Sequence, residues 1–361
     1  MIIRKLKDSD LDNLSKFCKK KLPKSFIYSQ DFLRYWFQDK KGKWQVDIVT
    51  DEKNKIYSVN FSIKNEALFN KNITSLLWTS TAFTSLKNNK DPNIGLILLN
   101  LHRENDLVAS LCSNKKSINL NRNLGRSING IELQRFIFIH SSNFISVLVK
   151  SNKRHLFKYN KINKIHDIQN LKARWSKSIP KNYNFLWDQF SKKFNLCVNK
   201  NRDYIKKRYL NNPFQEYSFL VIKNSLHKLV GFSVIKFQIV KKIKYARIIE
   251  FFSIKGYEEK VWKKILIQCK LQNTTITDFF VVGKNQNNKL LNVGFKIVKS
   301  NNKYFNIPNL LSPLDYRQWS NDFHIGGKLS KKIKLNNFKE IWFTKGDSDR
   351  DHPTRYDLNI N

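Results

Sequence analysis

The chain has 361 residues, of which 41% are hydrophobic and 13% aromatic, so it is long enough for two folded domains, and composition excludes a disordered polymer. Its 67 Lys and Arg residues exceed its 28 Asp and Glu residues, for a formal net charge of +39, which normally favours a polyanionic partner. The basic residues are spread along the whole sequence without a nucleic-acid-binding module. The excess is mostly lysine and comes with abundant Asn, Ile and Phe, as AT-rich codons would give, so we do not predict nucleic acid as a partner. The charge is equally compatible with anionic cofactors, phosphorylated substrates or peripheral contact with an anionic membrane.

The amino-terminal residues MIIRKLKDSD contain no apolar region of the signal-peptide kind. No later window approaches the roughly 18 consecutive apolar residues that span a bilayer, so we expect a cytoplasmic protein. The four cysteines are widely spaced, with no CxxC or Cys/His ligand spacing, which favours buried free thiols and predicts no metal site. They are Cys18, Cys112, Cys197 and Cys269.

Apolar periodicity in the first half predicts a strand, a helix and then a three-stranded antiparallel meander. These elements are MIIRKL, SDLDNLSKFCKK, WQVDIVT, IYSVNFSI and ITSLLWTSTAFTSL. A longer helix follows, and a strand, a short helix and another strand complete the half. They are KDPNIGLILLNLHREN, LVASLCS, SINLNRNLG and ELQRFIFI.

The second half repeats this order of elements. Its meander, helix, strand, short helix and strand are EYSFLVI, LVGFSVIKFQI and YARIIEFFSI, then GYEEKVWKKILIQCK, TTITDFFVV, NQNNKLLNVG and FKIV. A Lys-rich connection between the halves contains the helical pattern NFLWDQFSKKF, which we interpret as a bracing helix rather than a substrate lid. We predict two α+β domains at residues 1–145 and 201–361, joined by a helical linker at 146–200, with an acidic segment at the end.

This order of elements resembles the GNAT acyltransferase superfamily in a tandem arrangement. The opening IRKLKDSDLDNLSKF and the paired segments SNKKSINLNRNLG and GKNQNNKLLNVGFKI carry the resemblance. RDYIKKRYLNNPFQEYSFLVI and GDSDRDHP look most like the double-GNAT proteins of bacterial polysaccharide clusters. The resemblance implies two mixed, mostly antiparallel sheets flanked by helices, with acyl-CoA between two splayed central strands and its pyrophosphate at the following helix.

A phosphate-binding loop in this fold would lie before the helix KDPNIGLILLNLHREN. The family pattern there is (Q/R)-x-x-G-x-(G/A), and this chain offers K-x-x-N-x-G. Exposed helical N–H groups stabilise phosphate, and Asn tolerates the left-handed backbone that glycine usually supplies. The alternative is that Asp91 and Pro92 simply cap the helix, without any ligand. The predicted cofactor-binding residues are Lys90, Asn93, Ile94, Gly95 and Leu96.

The corresponding helix of the second half begins with two carboxylates, Glu258 and Glu259. These side chains complement the helix dipole and would repel a pyrophosphate. We therefore predict that the first domain holds acetyl-CoA or another acyl-CoA and that the second shapes the acceptor pocket.

Glu250 is the acid within the otherwise apolar strand ARIIEFF, and burial would raise its pKa toward a range useful for a general base. An equally open interpretation is an ion pair with a neighbour such as Arg247. His140, at the end of FIFIH, is a second base candidate, although a histidine that closes a strand is more often structural.

The segment GDSDRDHP places Asp347, Asp349 and Asp351 at alternate positions after the strand EIWFT. An EF-hand is excluded, because Leu358 stands where the twelfth-position Glu should be. Three interpretations stay open. The aspartates form a polar turn, or they line an acceptor pocket and help to deprotonate an amine, or they form the DxD motif of a metal-dependent glycosyltransferase.

The sequence thus predicts an acyl-CoA-dependent N-acyltransferase acting on an amino group of a sugar or a surface-polysaccharide precursor. Its predicted catalytic residues are Glu250, Asp347 and Asp349. The alternatives are the glycosyltransferase and a catalytically degenerate scaffold that binds a partner without turnover.

Overall fold

The structure is a computed structural model. It describes residues 1–21, 29–39, 41–85, 92–112, 119–121, 123, 132–141, 168, 170–240, 243–283, 287–298, 322–333, 340–348 and 351. The chain forms two compact units. Unit 1 comprises Met1–Glu132, Ser320–Asn336 and Pro353–Arg355, and unit 2 comprises Leu133–Trp319, Asn337–His352 and Tyr356–Asn361.

Unit 1 contains a mixed sheet with helices packed against it. Its strands are β1 (Ile2–Lys5), β2 (Val46–Thr50), β3 (Ile56–Phe69), β4 (Asn72–Thr84), β5 (Leu107–Cys112) and β14 (Asp322–Gly326). Its helices are α1 (Leu11–Lys21), α2 (Gln30–Phe37) and α3 (Pro92–Glu104). The strands pair in the order β1-β2-β3-β4-β5-β14, with only β4 and β5 parallel.

The apolar face of α3 fixes its position on this sheet. Ile97, Leu98 and Leu101 follow helical spacing and pack against Leu77 of β4 and Val108 of β5. Because Leu77 and Val108 are direct neighbours in the parallel register, they point to the same side of the sheet. The helix α3 therefore packs on one face of the β4–β5 pair.

Unit 2 repeats this plan with a larger sheet. Its strands are β6 (Gln134–Ile139), β7 (Leu171–Ser176), β8 (Leu196–Val198), β9 (Ser218–Asn224), β10 (Leu229–Val240), β11 (Ile243–Ser253), β12 (Ile276–Val282), β13 (Lys296–Val298) and β15 (Ile341–Thr344). Its helices are α4 (Tyr183–Ser191), α5 (Arg202–Ile205), α6 (Glu258–Leu271) and α7 (Asn287–Asn292), and a π-helical turn, Lys206–Leu210, follows α5.

Aromatic side chains join both faces of the unit 2 sheet to its helices. Trp262 of α6 stacks on Phe251 with ring centroids 3.9 Å apart, and Trp187 of α4 meets Phe252 edge-on at 5.6 Å on the other side. Phe251 and Phe252 are consecutive on β11, so they point to opposite faces. The pattern NFLWDQFSKKF, which we interpreted as a bracing helix, thus contributes α4 to the core of unit 2.

One strand from each half of the sequence completes the sheet of the other unit. β6, which we expected to close the first half, pairs antiparallel with β12 and also with β13. The outer edge of β5 is instead covered by β14, which comes from the region after the second half. Chain order therefore does not give the strand neighbours at these two edges.

A parallel strand pair that splits apart occurs in both units. β4 and β5 pair from Leu76 and Leu107 to Thr79 and Ser110, and β11 and β12 pair from Tyr245 and Ile276 to Ile248 and Phe279. In both pairs the partners are 31 residues apart (107 − 76 and 276 − 245). Directly after the last pair, the first strand carries a bulge that turns it away: β4 has two residues opposite Phe61, and β11 has the extra residue Ile249.

In the part of the chain that the structure describes, no helix is long and apolar enough to cross a membrane. Three of the four cysteines, Cys18, Cys197 and Cys269, are buried free thiols, as expected. The side chain of Cys112 lies outside the description.

Candidate functional site

In unit 1 four of the five predicted cofactor residues, 93–96, lie at the start of α3, the helix between β4 and β5 in the chain. Ile94 packs against the core beneath the helix, whereas Leu96 is 45% exposed. Asn93 is half-buried. A Cβ added at Gly95 would have its nearest contact at 4.0 Å, from Leu120, so packing alone does not demand a glycine. Lys90 lies outside the described residues.

The first turn of α3 has the chemistry of an anion site. The turn begins at Pro92 and contains no acidic side chain, whereas Asp91, the alternative cap of this helix, lies outside the described residues. The free N–H groups of a helix start and the positive end of the helix dipole favour phosphate. A pyrophosphate contact at this turn stays a prediction.

The matching helix of unit 2 begins with a carboxylate that has partners within the protein. Glu258 accepts a hydrogen bond from Gly256 N–H at 2.8 Å and forms ion pairs with Lys193 at 2.7 Å and Lys289 at 2.9 Å. Burial opposes ionisation of Glu258, but the hydrogen bonds from Lys193 and Lys289 prevail and lower its pKa to about 2. The start of α6 is thus electrostatically satisfied without a ligand.

The split between β11 and β12 is filled by the chain itself. β15 pairs antiparallel with Val281 and Val282 of β12, beyond the last residue that contacts β11. It lies on the β11 side, because β6 covers the opposite edge from Ile276 to Val281. We call residues 341–348, which comprise β15, the turn Lys345–Asp347 and Ser348, the inserted segment.

A buried ion cluster joins the inserted segment to β11. The cluster consists of Lys200, Glu250, Thr344 and Asp347. Lys200 Nζ lies 2.6 Å from Glu250 Oε2 and 2.9 Å from Asp347 Oδ2, and these three side chains have 0% exposure. The Thr344 hydroxyl donates to Glu250 Oε2 at 3.0 Å, and the Thr344 N–H donates to Asp347 Oδ2 at 2.7 Å.

The second carboxylate oxygen of Glu250 is also engaged, since it accepts a hydrogen bond from the Tyr209 hydroxyl at 2.6 Å. Burial raises the pKa of Glu250 to about 7, against the opposing effect of the Lys200 ammonium. Burial also acts to lower the pKa of Lys200. The Asp347 and Glu250 carboxylates act in the opposite direction and prevail, so the pKa of Lys200 lies above its usual value. A proton can therefore be held within this cluster near neutral pH.

The structure brings together two of the three predicted catalytic residues, Glu250 and Asp347. Asp349 lies outside the described residues. The basic partner of Glu250 is Lys200 rather than Arg247, which instead faces Asp278 at 3.4 Å. A base role for Glu250 stays a prediction, and direct contact with an acceptor requires the inserted segment to move, because both carboxylate oxygens are enclosed.

Sequence reasoning missed Lys200, Thr344 and Tyr209. Lys200 follows the short strand β8, and Tyr209 lies in a π-helical turn, a rare conformation that has no clear periodic signature. Thr344 closes EIWFT, where a polar residue reads as the end of a strand. No local signal relates these three positions, which are up to 144 residues apart in sequence.

The remaining candidates have structural partners. His140 Nε2 lies 2.8 Å from the Thr277 hydroxyl, and burial lowers the pKa of His140 to about 4, so the ring is neutral at pH 7. Asp351 accepts a hydrogen bond from the Tyr217 hydroxyl at 2.6 Å. Asp347 caps the turn that follows β15, and Asp351 contacts a different residue of unit 2.

Comparison with known proteins gives structural neighbours only. No protein-family model and no curated protein matches the sequence. A conserved protein of unknown function from Enterococcus faecalis V583, described as a probable N-acyltransferase, superposes with a TM-score of 0.57 at 8% identity, over 90% of this chain and 71% of that one.

Two structures of Saccharomyces cerevisiae N-myristoyltransferase with bound myristoyl-CoA also match. Both have a TM-score of 0.53 and cover 90% of this chain, at 8% identity over 80% of one and 10% identity over 78% of the other. The chain therefore has the α+β, tandem GNAT-type fold that the sequence predicted. At these identities the likeness establishes the fold alone.

Proposed function

We propose that the protein is an acyl-CoA-dependent N-acyltransferase whose unit 1 binds the acyl-CoA and whose unit 2 serves the acceptor. The observation that carries this proposal is the asymmetry between two equivalent strand pairs. In unit 2 the split is filled by β15, and the first turn of the helix carries the carboxylate of Glu258, which is paired with Lys193 and Lys289. In unit 1 the described residues place no strand between β4 and β5 beyond Thr79, and the α3 turn has no acid.

The reaction needs little covalent machinery from the protein. The lone pair of an acceptor amine attacks the thioester carbonyl, the C–S bond breaks, CoA leaves as a thiolate, and the amine loses its proton to a base. Holding both reactants in register supplies much of the rate, and Glu250 is our candidate base. As the acceptor we propose a small-molecule amine, specifically an amino sugar, and as the donor acetyl-CoA.

The experiment is a binding titration of the full chain with acetyl-CoA and with myristoyl-CoA, read by native mass spectrometry. We expect one acyl-CoA per chain. Asn93→Asp places a carboxylate in the first turn of α3 and should weaken binding about tenfold, because it repeats the repulsion present in α6. Glu259→Gln, in the first turn of α6, is the matched control and should leave binding unchanged.

Two bound molecules, or a loss of binding in Glu259→Gln but not in Asn93→Asp, would contradict the assignment to unit 1. Activity is then measured as thiol release with an amino sugar and with a peptide amine. Release with the peptide alone would replace the amino sugar as acceptor, and release with neither would leave a binding protein.

A further inference from the structure

A second group of buried charges lies on the same sheet face as Glu250 but outside the ion cluster. Lys236, Arg247 and Asp278 are direct neighbours across β10, β11 and β12. Direct neighbours on adjacent strands point to the same side of a sheet. Arg135 of β6 joins these three side chains, because it donates a hydrogen bond to Asp278 Oδ2 at 2.7 Å. We call Arg135, Lys236, Arg247 and Lys345 the cationic cluster.

Lys345, in the inserted segment, is the exceptional member. It is only 3% exposed, and within the described chain its ammonium makes no hydrogen bond or ion pair. The ammonium lies over the Phe280 ring, whose centroid is 5.6 Å from Nζ. An aromatic face compensates a buried cation only in part, since a lone buried charge is costly until it meets an anion.

The neighbours of Lys345 add to this cost. Burial lowers the pKa of Lys345 well below its ordinary value, and the positive charges of Arg247 and Lys236 act in the same direction. The carboxylates of Asp351 and Asp278 oppose them without restoring it. Asp278 is already shared by two guanidinium groups, Arg135 and Arg247.

We propose that the cationic cluster binds one small oxyanion, of the carboxylate or phosphate class, with Lys345 as its main ligand. Guanidinium and ammonium groups together suit such an anion, because arginine offers paired N–H donors and lysine a point charge. The site is separate from the α3 turn proposed for acyl-CoA. If no anion binds to the cationic cluster, the acyltransferase proposal still stands, because anion binding is measured without acyl-CoA.

Binding is coupled to protonation. In the empty site, burial and the neighbouring cations disfavour the charged form of Lys345, whereas a bound anion favours it. The complex therefore takes up a proton, and affinity rises as the pH falls through the range between the lowered and the ordinary pKa. Proton uptake separates a ligand at Lys345 from nonspecific screening.

The experiment is isothermal titration of the full chain with inorganic phosphate and with acetate at constant ionic strength, in two buffers of different ionisation enthalpy. We expect one site and net proton uptake. Lys345→Met keeps the length of the side chain and should weaken binding at least tenfold, while stability stays equal or rises because an unpaired buried cation is removed.

Lys193→Met is the matched control, since it breaks the ion pair with Glu258 elsewhere in unit 2. It should lose stability and keep anion affinity. Equal anion affinity in wild type and Lys345→Met would overturn the proposal, and so would a wild-type acetate affinity that does not rise as the pH falls through the range between the lowered and the ordinary pKa. If Lys345→Met does not fold, that pH dependence in the wild type still decides.

A further arm separates a free ion from an acidic group on an acceptor. It compares phosphoethanolamine and ethanolamine with inorganic phosphate. Tighter binding of phosphoethanolamine than of phosphate assigns the site to an amine-bearing ligand, and equal binding assigns it to the ion. Binding of none of the anions rejects the site.

Discussion

At the scale of single residues, Glu250 and Lys200 form the ion pair through which the inserted segment is bound to β11. Val234 and Ile235 of β10 pair with Glu250 and Ile248, so the bulge at Ile249 returns Glu250 to the face that Arg247 occupies. Lys200 then reaches both Glu250 and Asp347. A buried pair of this kind is costly to break, because removing one partner leaves an uncompensated charge.

Lys200→Met should therefore destabilise the protein by about 3–5 kcal/mol, since it leaves Glu250 and Asp347 facing each other without a cation. Glu250→Gln should cost less, because Glu250 is half-protonated near pH 7 and an amide resembles its neutral form. Chemical denaturation measures both values. If Glu250 is the catalytic base, kcat falls in Glu250→Gln far more than stability does, and a normal kcat with an unchanged pH profile rejects that role.

Glu258 should make unit 2 sensitive to acid. Its pKa is about 2 in the folded chain, below its ordinary value of 4.5, so its contribution to stability is complete above about pH 4.5. The contribution is lost as the pH falls toward 2, because protonation breaks the contacts with Lys193 and Lys289. Melting curves of the wild type and Glu258→Gln should differ at pH 7 and converge near pH 2. A difference that is independent of pH would contradict this account.

At the scale of elements, the inserted segment occupies the split between β11 and β12, and β4 and β5 of unit 1 split in the same way. Gly346 allows the close approach, because an added Cβ would clash with the Tyr209 hydroxyl and lie 2.7 Å from Glu250 Oε1. β15 is short and apolar, with all four residues buried, and it ends where Thr344 and Asp347 cap the following turn. The segment is thus fixed by packing and by the ion cluster together.

Gly346→Ala should loosen the inserted segment and destabilise unit 2 by about 1–3 kcal/mol, as overpacking does. Hydrogen exchange should show faster exchange at the Thr344 amide, which donates to Asp347. Gly95→Ala in α3 is the matched control, because its Cβ has room, and it should raise stability by about 0.5–1 kcal/mol. Unchanged exchange at Thr344 in Gly346→Ala would mean that the glycine is dispensable.

At the scale of the whole molecule, the chain exchanges strands between its two units. Phe136 on β6 is fully buried in unit 2, and Phe323 on β14 is fully buried in unit 1, where its ring centroid lies 6.0 Å from that of Trp78. Unit 1 therefore includes a strand that follows most strands of unit 2 in sequence, and unit 2 includes a strand that we expected in the first domain. A break between the halves at residue 145 or 200 would separate neither unit cleanly.

Phe323→Ala should weaken unit 1 and Phe136→Ala should weaken unit 2, each by about 3–5 kcal/mol, because each removes a fully buried ring. Hydrogen exchange by fragment is the measurement. Protection should fall first in β4 and β5 for Phe323→Ala, and first in β12 for Phe136→Ala. If each unit were built from one half of the sequence, Phe136→Ala would weaken unit 1 and Phe323→Ala would weaken unit 2. That result would contradict the observed strand exchange.

Much of this organisation is present in local sequence patterns. Periodicity predicts the two meanders, the long helices α3 and α6 and the strand EIWFT, because these depend on which side chains must be buried. The glutamates at the start of α6 likewise predict a helix start that satisfies itself. The helix α2 and the strands β7 and β14 were not predicted, since short elements of mixed polarity resemble loops until a partner is present.

By itself the sequence determined the order of the meanders and long helices and the position of Glu250 in an apolar strand, and its resemblance to the GNAT superfamily gave the fold class. Only the tertiary structure decided that Lys200, and not Arg247, is the partner of Glu250, that β6 and β14 exchange units, and that residues 341–348 fill the split of unit 2. The reason is physical. Local patterns record which residues avoid water, whereas pairing between residues 50 or more apart in sequence depends on strand register and on which cation can reach a buried carboxylate.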